Sequence, residues 1–125
     1  MIVRTLDEIT GTDRDVVTPN WRSKRIVLAT GSRPALPPVP GLAETPHFTN
    51  ETIFANRTLP SHLVVLGGGP IGLEMAQAFR RLGSKVTVLE AATCLAKDDP
   101  ELAAIVIARL RGEGIALHEK TRVTK

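Results

Sequence analysis

The sequence has little that could form a redox or metal centre, and it has few aromatic residues. In 125 residues it contains one cysteine, Cys94, no tyrosine, one tryptophan and three phenylalanines. A single thiol excludes an internal disulfide, a redox-active cysteine pair within the chain and a cysteine-only zinc site. Because aromatic residues are so few, the core must be aliphatic. With 42% hydrophobic and 23% charged residues, the composition is typical of a folded domain rather than a disordered chain.

Charge and hydropathy exclude further classes of partner. The net charge is +3, but the basic residues are spread along the chain without the interleaved aromatics that single-strand nucleic-acid binders use, so no nucleic-acid partner is expected. No apolar run approaches the roughly 20 residues that span a membrane. The N-terminal MIVRTLDEIT lacks the apolar core of a signal peptide, which predicts a cytoplasmic protein. The three histidines show no metal-ligand spacing, so no metal site and no catalytic residue are predicted.

Prolines mark the clearest boundary in the chain. Residues 25–29 (RIVLA) predict a short buried strand that stops at TGS. Residues 33–41 (RPALPPVPG) carry four prolines, which exclude a helix interior or a central strand and favour an extended connector.

From residue 61 the pattern alternates between strand and helix. Residues 62–66 predict a buried strand, 85–90 a second and 115–118 a third. Gly83 is expected to end the first helix, and Asp98 and Asp99 before Pro100 supply an N-cap to the second. Short connections in such a β-α-β-α-β series imply parallel strands. The expected fold is therefore α/β, a Rossmann-like doubly wound parallel sheet that is incomplete in this chain.

Apolar spacing assigns an inward face to each predicted helix. For the first helix this face comprises Ile71, Met75, Ala78, Phe79 and Leu82. For the second it comprises Leu102, Ile105, Val106 and Leu110.

A glycine motif connects the first of these strands to the first helix. Gly67, Gly69 and Gly72 form G-x-G-x-x-G directly after the strand, which is the context that a dinucleotide-binding turn requires. The first glycine permits the tight turn, the second lets a pyrophosphate approach the backbone, and the third allows close helix–strand packing. Pro70 occupies a position where a helix tolerates a missing N–H.

An acidic residue follows at the end of the next strand. Glu90 lies at the spacing of about 20 residues at which such an acid meets the adenosine ribose. It would repel a 2′-phosphate, and residues 91–94 (AATC) contain no arginine to receive one, so the sequence favours NAD over NADP. The alternative is an ordinary strand–helix turn followed by a surface glutamate.

Three segments together resemble a known family. ATGSRP at residues 29–34, PVPG at 38–41 and VVLGGGPIGLEMAQAFRRLGSKVTVLE at 64–90 resemble the flavin-dependent pyridine nucleotide-disulfide oxidoreductases, which include dihydrolipoamide dehydrogenase, glutathione reductase and mercuric reductase. The resemblance implies that Thr30 and Gly31 lie near bound FAD. It also implies that Ile71 lies against the nicotinamide and Glu74 near the nicotinamide end. Without the resemblance, Glu74 would be interpreted as a solvated first-turn acid. The cofactor-binding residues expected overall are Thr30, Gly31, Gly67, Gly68, Gly69, Pro70, Ile71, Gly72, Glu74, Glu90 and Ala91.

The sequence also departs from the family pattern. The first FAD-binding glycine motif, the redox cysteine pair and the dimerisation domain are not found, and Cys94 is expected to be an ordinary thiol in a loop. We therefore expect partial FAD-domain strands and the connector at residues 1–41, and a truncated NAD(P)-binding domain at 42–125.

The expected function is the nicotinamide-dinucleotide-binding segment of a larger flavoenzyme. That enzyme would pass hydride between NAD(P)H and FAD, and electrons on to a disulfide, dithiol or metal-ion acceptor. Its partners would be NAD(H) and the rest of the flavoenzyme, a homodimer when intact, and this segment alone would be inactive. The alternative is a stand-alone NAD-binding or sensing module without catalysis.

Overall fold

A computed structural model describes Ala29 and residues 31–124. Contacts divide the chain into units Met1–Ser32 and Arg33–Lys125, and the helices and strands described below all belong to the second. The strand predicted at residues 25–29 lies outside the described residues except for Ala29. Within the described range, no helix is long and apolar enough to cross a membrane.

The second unit contains a parallel sheet with two helices. A short 3-10 helix at Ile53–Ala55 precedes β1 (His62–Leu66), α1 (Pro70–Arg81), β2 (Lys85–Leu89), α2 (Pro100–Gly112) and β3 (Ala116–His118). The strands lie in the order β1-β2-β3, and all pairs are parallel. The predicted β-α-β-α-β series and its parallel sheet are therefore confirmed.

The predicted helix ends are confirmed as well. Gly83 follows α1 with φ +111, a left-handed conformation that glycine adopts without strain. At the start of α2, Oδ1 of Asp99 accepts hydrogen bonds from the N–H of Glu101 at 2.9 Å and of Leu102 at 3.2 Å, with Pro100 at the first position. The end of α1 and the start of α2 can be predicted from local sequence because they depend on backbone conformation and on unpaired N–H groups rather than on tertiary contacts.

The predicted inward face of α1 is partly wrong. Ile71 and Leu82 are 56% and 66% exposed, whereas Leu73 and Ala76 are buried at 4% and 0%. The helix packs through Leu73 and Ala76, and the small side chain at position 76 lets the helix backbone lie close to its neighbours. Phe79 is half-buried against the core, Met75 is half-buried, and Ala78 is exposed.

The predicted face of α2 is wrong for three of its four residues. Leu102, Ile105 and Val106 are 64%, 67% and 43% exposed, and the buried residues are Ile107 and Leu110. Apolar side chains occur all around this helix, so their spacing does not select one face.

One core lies between the helices and one face of the sheet. Val86 and Val88 of β2 are 1% and 0% exposed and pack with the buried residues of both helices. On the opposite face, Val64 and Leu66 of β1 are 50% and 37% exposed, so β1 is half-buried rather than buried as predicted. Parallel sheets are normally covered on both faces, and a second covering layer is not among the described residues.

A glutamate joins the ends of the two helices. Glu113, directly after α2, accepts hydrogen bonds from Arg81 to both carboxylate oxygens, at 2.8 and 2.9 Å, and from Arg109 at 2.8 Å. Its backbone oxygen accepts from Nε of Arg80 at 2.8 Å. The hydrogen bonds from Arg81, and then those from Arg109, lower the pKa of Glu113 to about 2.

This cluster predicts a loss of stability in acid. Because the pKa of Glu113 falls from 4.5 to about 2 on folding, its contribution is complete above pH 4.5 and disappears as the pH falls toward 2. We expect Glu113→Gln to lower the urea midpoint at pH 7. We also expect the urea midpoint of this variant to fall less than that of the wild type between pH 4.5 and pH 2. Glu44→Gln, at an exposed position, is the control. An equal fall of the urea midpoint in Glu113→Gln and in the wild type would contradict the prediction. Some fall is expected in the variant as well, because the pKa of Glu90 is also lowered.

Candidate functional site

The glycine turn lies at the carboxyl end of β1. Gly67 has φ +111, and its N–H donates to the carbonyl oxygen of Leu89 at 2.9 Å, which joins the turn to the end of β2. Gly69 is the N-cap of α1 with φ −76 and ψ 173. The turn therefore delivers the N-terminus of a helix to the strand ends, which is where open α/β sheets bind ligands.

Two glycines of the motif have opposite surroundings. A Cβ on Gly72 would meet the carbonyl oxygen of Gly67 and lie 3.3 Å from Cγ1 of Val65. Apart from its chain neighbours, a Cβ on Gly69 would have no heavy atom within 4 Å in the part of the chain that the structure describes. Gly72 thus allows the close packing of α1 on β1, whereas Gly69 borders open space in front of the helix N-terminus.

Glu90 is bonded to the glycine turn. Its Oε2 accepts from the N–H of Gly68 at 2.7 Å, and its Oε1 accepts from the N–H of Ala92 at 2.7 Å. The bond from Gly68, followed by that from Ala92, lowers the pKa of Glu90 below its ordinary value of 4.5. A fixed negative charge therefore lies beside the turn at neutral pH.

The buried side of the turn is closed by Cys94. This residue is 3% exposed, and a Cβ on Gly68 would meet its Sγ and lie 3.1 Å from Cβ of Glu90. Burial is the main cause that raises the pKa of the Cys94 thiol. The sequence places Cys94 in a loop, but it gives no sign that the thiol packs against the glycine turn.

The first turn of α1 presents the other predicted residues to solvent. Ile71 is 56% exposed, and Pro70 and Glu74 are also exposed. Pro70 and Glu74 border an open groove of about 360 Å³ between α1 and α2. The first N–H groups of a helix have no intrahelical acceptor, and with the macrodipole they favour an anion at this end.

The remaining predicted site residues are placed as follows. Ala91 is exposed directly after Glu90. Thr30 lies outside the described residues, and Gly31, in the first unit, has φ +75. The described residues contain no group of three His, Cys, Asp or Glu side chains that could hold a metal ion.

Known proteins are similar to this chain in sequence. The mercuric reductase of Serratia marcescens is 42% identical over 120 residues, covering 90% of this chain and 26% of that protein. That of Shewanella putrefaciens is 44% identical over 126 residues, covering 100% of this chain and 21% of that protein. The chain therefore spans about a quarter of the length of these relatives.

A solved structure and a family model also match this chain. The Cu(II) complex of the HOCl-induced flavoprotein disulfide reductase RclA from Escherichia coli matches with a TM-score of 0.70 and 40% identity. This match covers 77% of this chain and 23% of that one. The family model described as pyridine nucleotide-disulphide oxidoreductase matches residues 3–125. The chain therefore belongs to the pyridine nucleotide-disulphide oxidoreductase family, whose flavin-dependent oxidoreductases use FAD and NAD(P)H.

Proposed function

We propose that this chain is the nicotinamide-dinucleotide-binding segment of a flavoenzyme and that it favours NAD(H). The observation that carries the proposal is the joining of the Glu90 carboxylate to the N–H of Gly68 at 2.7 Å. This bond brings the ribose-binding acid and the phosphate-binding turn of a dinucleotide site together at one edge of the sheet.

The pyrophosphate is assigned to the open space beside Gly69. Within residues 31–124, no heavy atom beyond the chain neighbours lies within 4 Å of a Cβ built there. The N–H groups of Ile71 and Gly72 belong to the helix turn that lacks intrahelical acceptors. From that anchor, the exposed side chains of Ile71 and Glu74 border the nicotinamide end, as the family resemblance implies. The nicotinamide supplies the hydride chemistry when bound, and this chain binds and orients it.

Glu90 and Ala91 are assigned to the adenosine end. The carboxylate of Glu90 already accepts two backbone hydrogen bonds, but its oxygens have further lone pairs for a ribose hydroxyl. Its lowered pKa keeps it negative at neutral pH. A 2′-phosphate would meet this charge, which is the physical basis for preferring NAD over NADP.

The remainder of the proposed function is supported by family membership. Relatives include mercuric reductases and a flavoprotein disulfide reductase, so we propose that the intact enzyme exchanges hydride between NAD(P)H and FAD. Electrons would then pass to a disulfide, dithiol or metal-ion acceptor. Residues 1–41 would belong to the FAD domain, with Thr30 and Gly31 near the flavin. Residues 42–125 would belong to the NAD(P)-binding domain, and the intact enzyme would be a homodimer.

Nucleotide titrations of the 125-residue chain test the proposal. We expect saturable binding of NADH and weaker binding of NADPH, both measured by nicotinamide fluorescence or calorimetry. Glu90→Gln removes a charge that repels a phosphate at about 4 Å by about 1 kcal/mol in water, so it should shift the NADPH/NADH affinity ratio about fivefold toward NADPH.

The control is Glu44→Gln, which removes an exposed carboxylate from another part of the chain and should leave the ratio unchanged. Absence of saturable NADH binding to the wild type would overturn the site assignment. An unchanged ratio in Glu90→Gln would overturn the proposed basis of the NAD preference.

A further inference from the structure

Glu119 lies just after β3 and binds the loop that follows β2. Its Oε1 accepts from the N–H of Cys94 at 2.8 Å, and its Oε2 accepts from Arg111 of α2 at 3.1 Å. The side chain is only 24% exposed. One carboxylate therefore holds together the segment after β3, the loop after β2 and the end of α2.

The residues that Glu119 fixes are those that hold the glycine turn. Cys94 closes the buried side of Gly68, and the N–H of the next residue, Leu95, donates to the carbonyl oxygen of Gly68 at 2.9 Å. The N–H of Gly68 in turn donates to Glu90. Both polar backbone groups of Gly68 are thus bonded to residues of one loop, 90–95.

The loop needs support at this point because its backbone is strained. Leu95 has φ +55, a left-handed conformation that non-glycine residues seldom adopt. Two neighbouring bonds hold the other end of the loop, from the N–H of Lys120 to the oxygen of Ala92 and from the N–H of Thr121 to the oxygen of Glu90, both at 2.8 Å. Glu119 supplies the side-chain bond directly beside Leu95.

We propose that Glu119 is a positioning residue of the dinucleotide site. It holds Cys94 and Leu95 against Gly68, and this contact keeps the N–H of Gly68 directed at the Glu90 carboxylate in the arrangement that receives the adenosine ribose. The inference rests on the proposed function, because it assigns Glu119 to the same nucleotide site.

Three variants of the 125-residue chain separate this role from general stabilisation. Glu119→Ala removes both bonds of the side chain and should raise the Kd for NADH about tenfold, as for loss of one hydrogen bond that involves a charged group. Glu119→Gln keeps an oxygen for the N–H of Cys94 and should stay within about twofold of wild type. Arg111→Gln removes only the ion pair and should also stay within about twofold, since exposed pairs contribute little.

Amide hydrogen exchange in the nucleotide-free chain provides a second readout. We expect the N–H groups of Gly68 and Leu95 to exchange faster in Glu119→Ala, while that of Val88 in β2 keeps its wild-type rate. Unchanged Gly68 exchange, or an equal increase at Val88, would overturn the inference whether or not NADH binds. Absence of saturable NADH binding to the wild type would instead overturn the proposed function.

Discussion

Gly72→Ala is expected to destabilise the fold by about 1–3 kcal/mol, the usual cost of forcing an extra methyl group into a packed region. The new Cβ would meet the carbonyl oxygen of Gly67 and approach Cγ1 of Val65 to 3.3 Å. The first of these atoms is backbone, so no rotamer change can relieve the contact. Either α1 moves away from β1 or the turn at Gly67 changes, and both changes would also weaken NADH binding.

The sign of this effect separates packing from helix propensity. Alanine is favoured over glycine inside a helix by about 1 kcal/mol, so propensity alone predicts that Gly72→Ala stabilises the chain. Gly112→Ala is the matched control, since Gly112 is also helical and a Cβ there would have no heavy atom of another described element within 4 Å. Urea midpoints should fall for Gly72→Ala and stay level or rise for Gly112→Ala. A midpoint for Gly72→Ala at or above the wild-type value would contradict the packing role.

The elements of this fold could be predicted because their signals are local. Five consecutive apolar-rich residues give β1, and Gly83 and Asp99 mark helix ends through backbone conformation and capping. The buried faces of the helices could not be predicted in the same way. Ala76 is fully buried although it is small, and Leu102 is 64% exposed although it is large, because burial depends on what packs against each position.

The same distinction applies to the candidate site. The spacing of the glycines and of Glu90 could be recognised because each answers a requirement of a strand–turn–helix unit. No local sequence pattern pointed to Glu119, because its carboxylate accepts from the N–H of Cys94, which lies 25 residues earlier in the chain. For Glu113 the sequence shows only that Arg109 lies one helical turn before it, and the ion pair with Arg81 depends on how the fold brings the end of α1 to the residue after α2. Residues that support a site from another element are therefore found only when the fold is known.

Gly69→Ala is expected to differ from Gly72→Ala in stability, because it should impair nucleotide binding while the fold stays as stable as the wild type. Its φ of −76 and ψ of 173 suit any residue, and among the described residues a Cβ there would have no heavy atom within 4 Å apart from its chain neighbours. Such a replacement should be neutral or stabilise by about 0.4–1 kcal/mol through the unfolded state. The methyl group would, however, occupy the open space assigned to the pyrophosphate.

The expected loss of affinity for NADH is about a hundredfold, because displacing the pyrophosphate from two N–H donors loses about 1.5 kcal/mol for each charge-assisted bond. NADH titration measures the affinity of the variant and urea unfolding measures its stability, with Gly112→Ala as the control for both measurements. A Gly69→Ala chain that binds NADH like the wild type would show that the pyrophosphate does not approach this backbone. A chain that loses binding and stability together would show instead that Gly69 supports the turn itself. Only the predicted combination, lost affinity with an unchanged or raised urea midpoint, assigns the open space at the N-terminus of α1 to the dinucleotide.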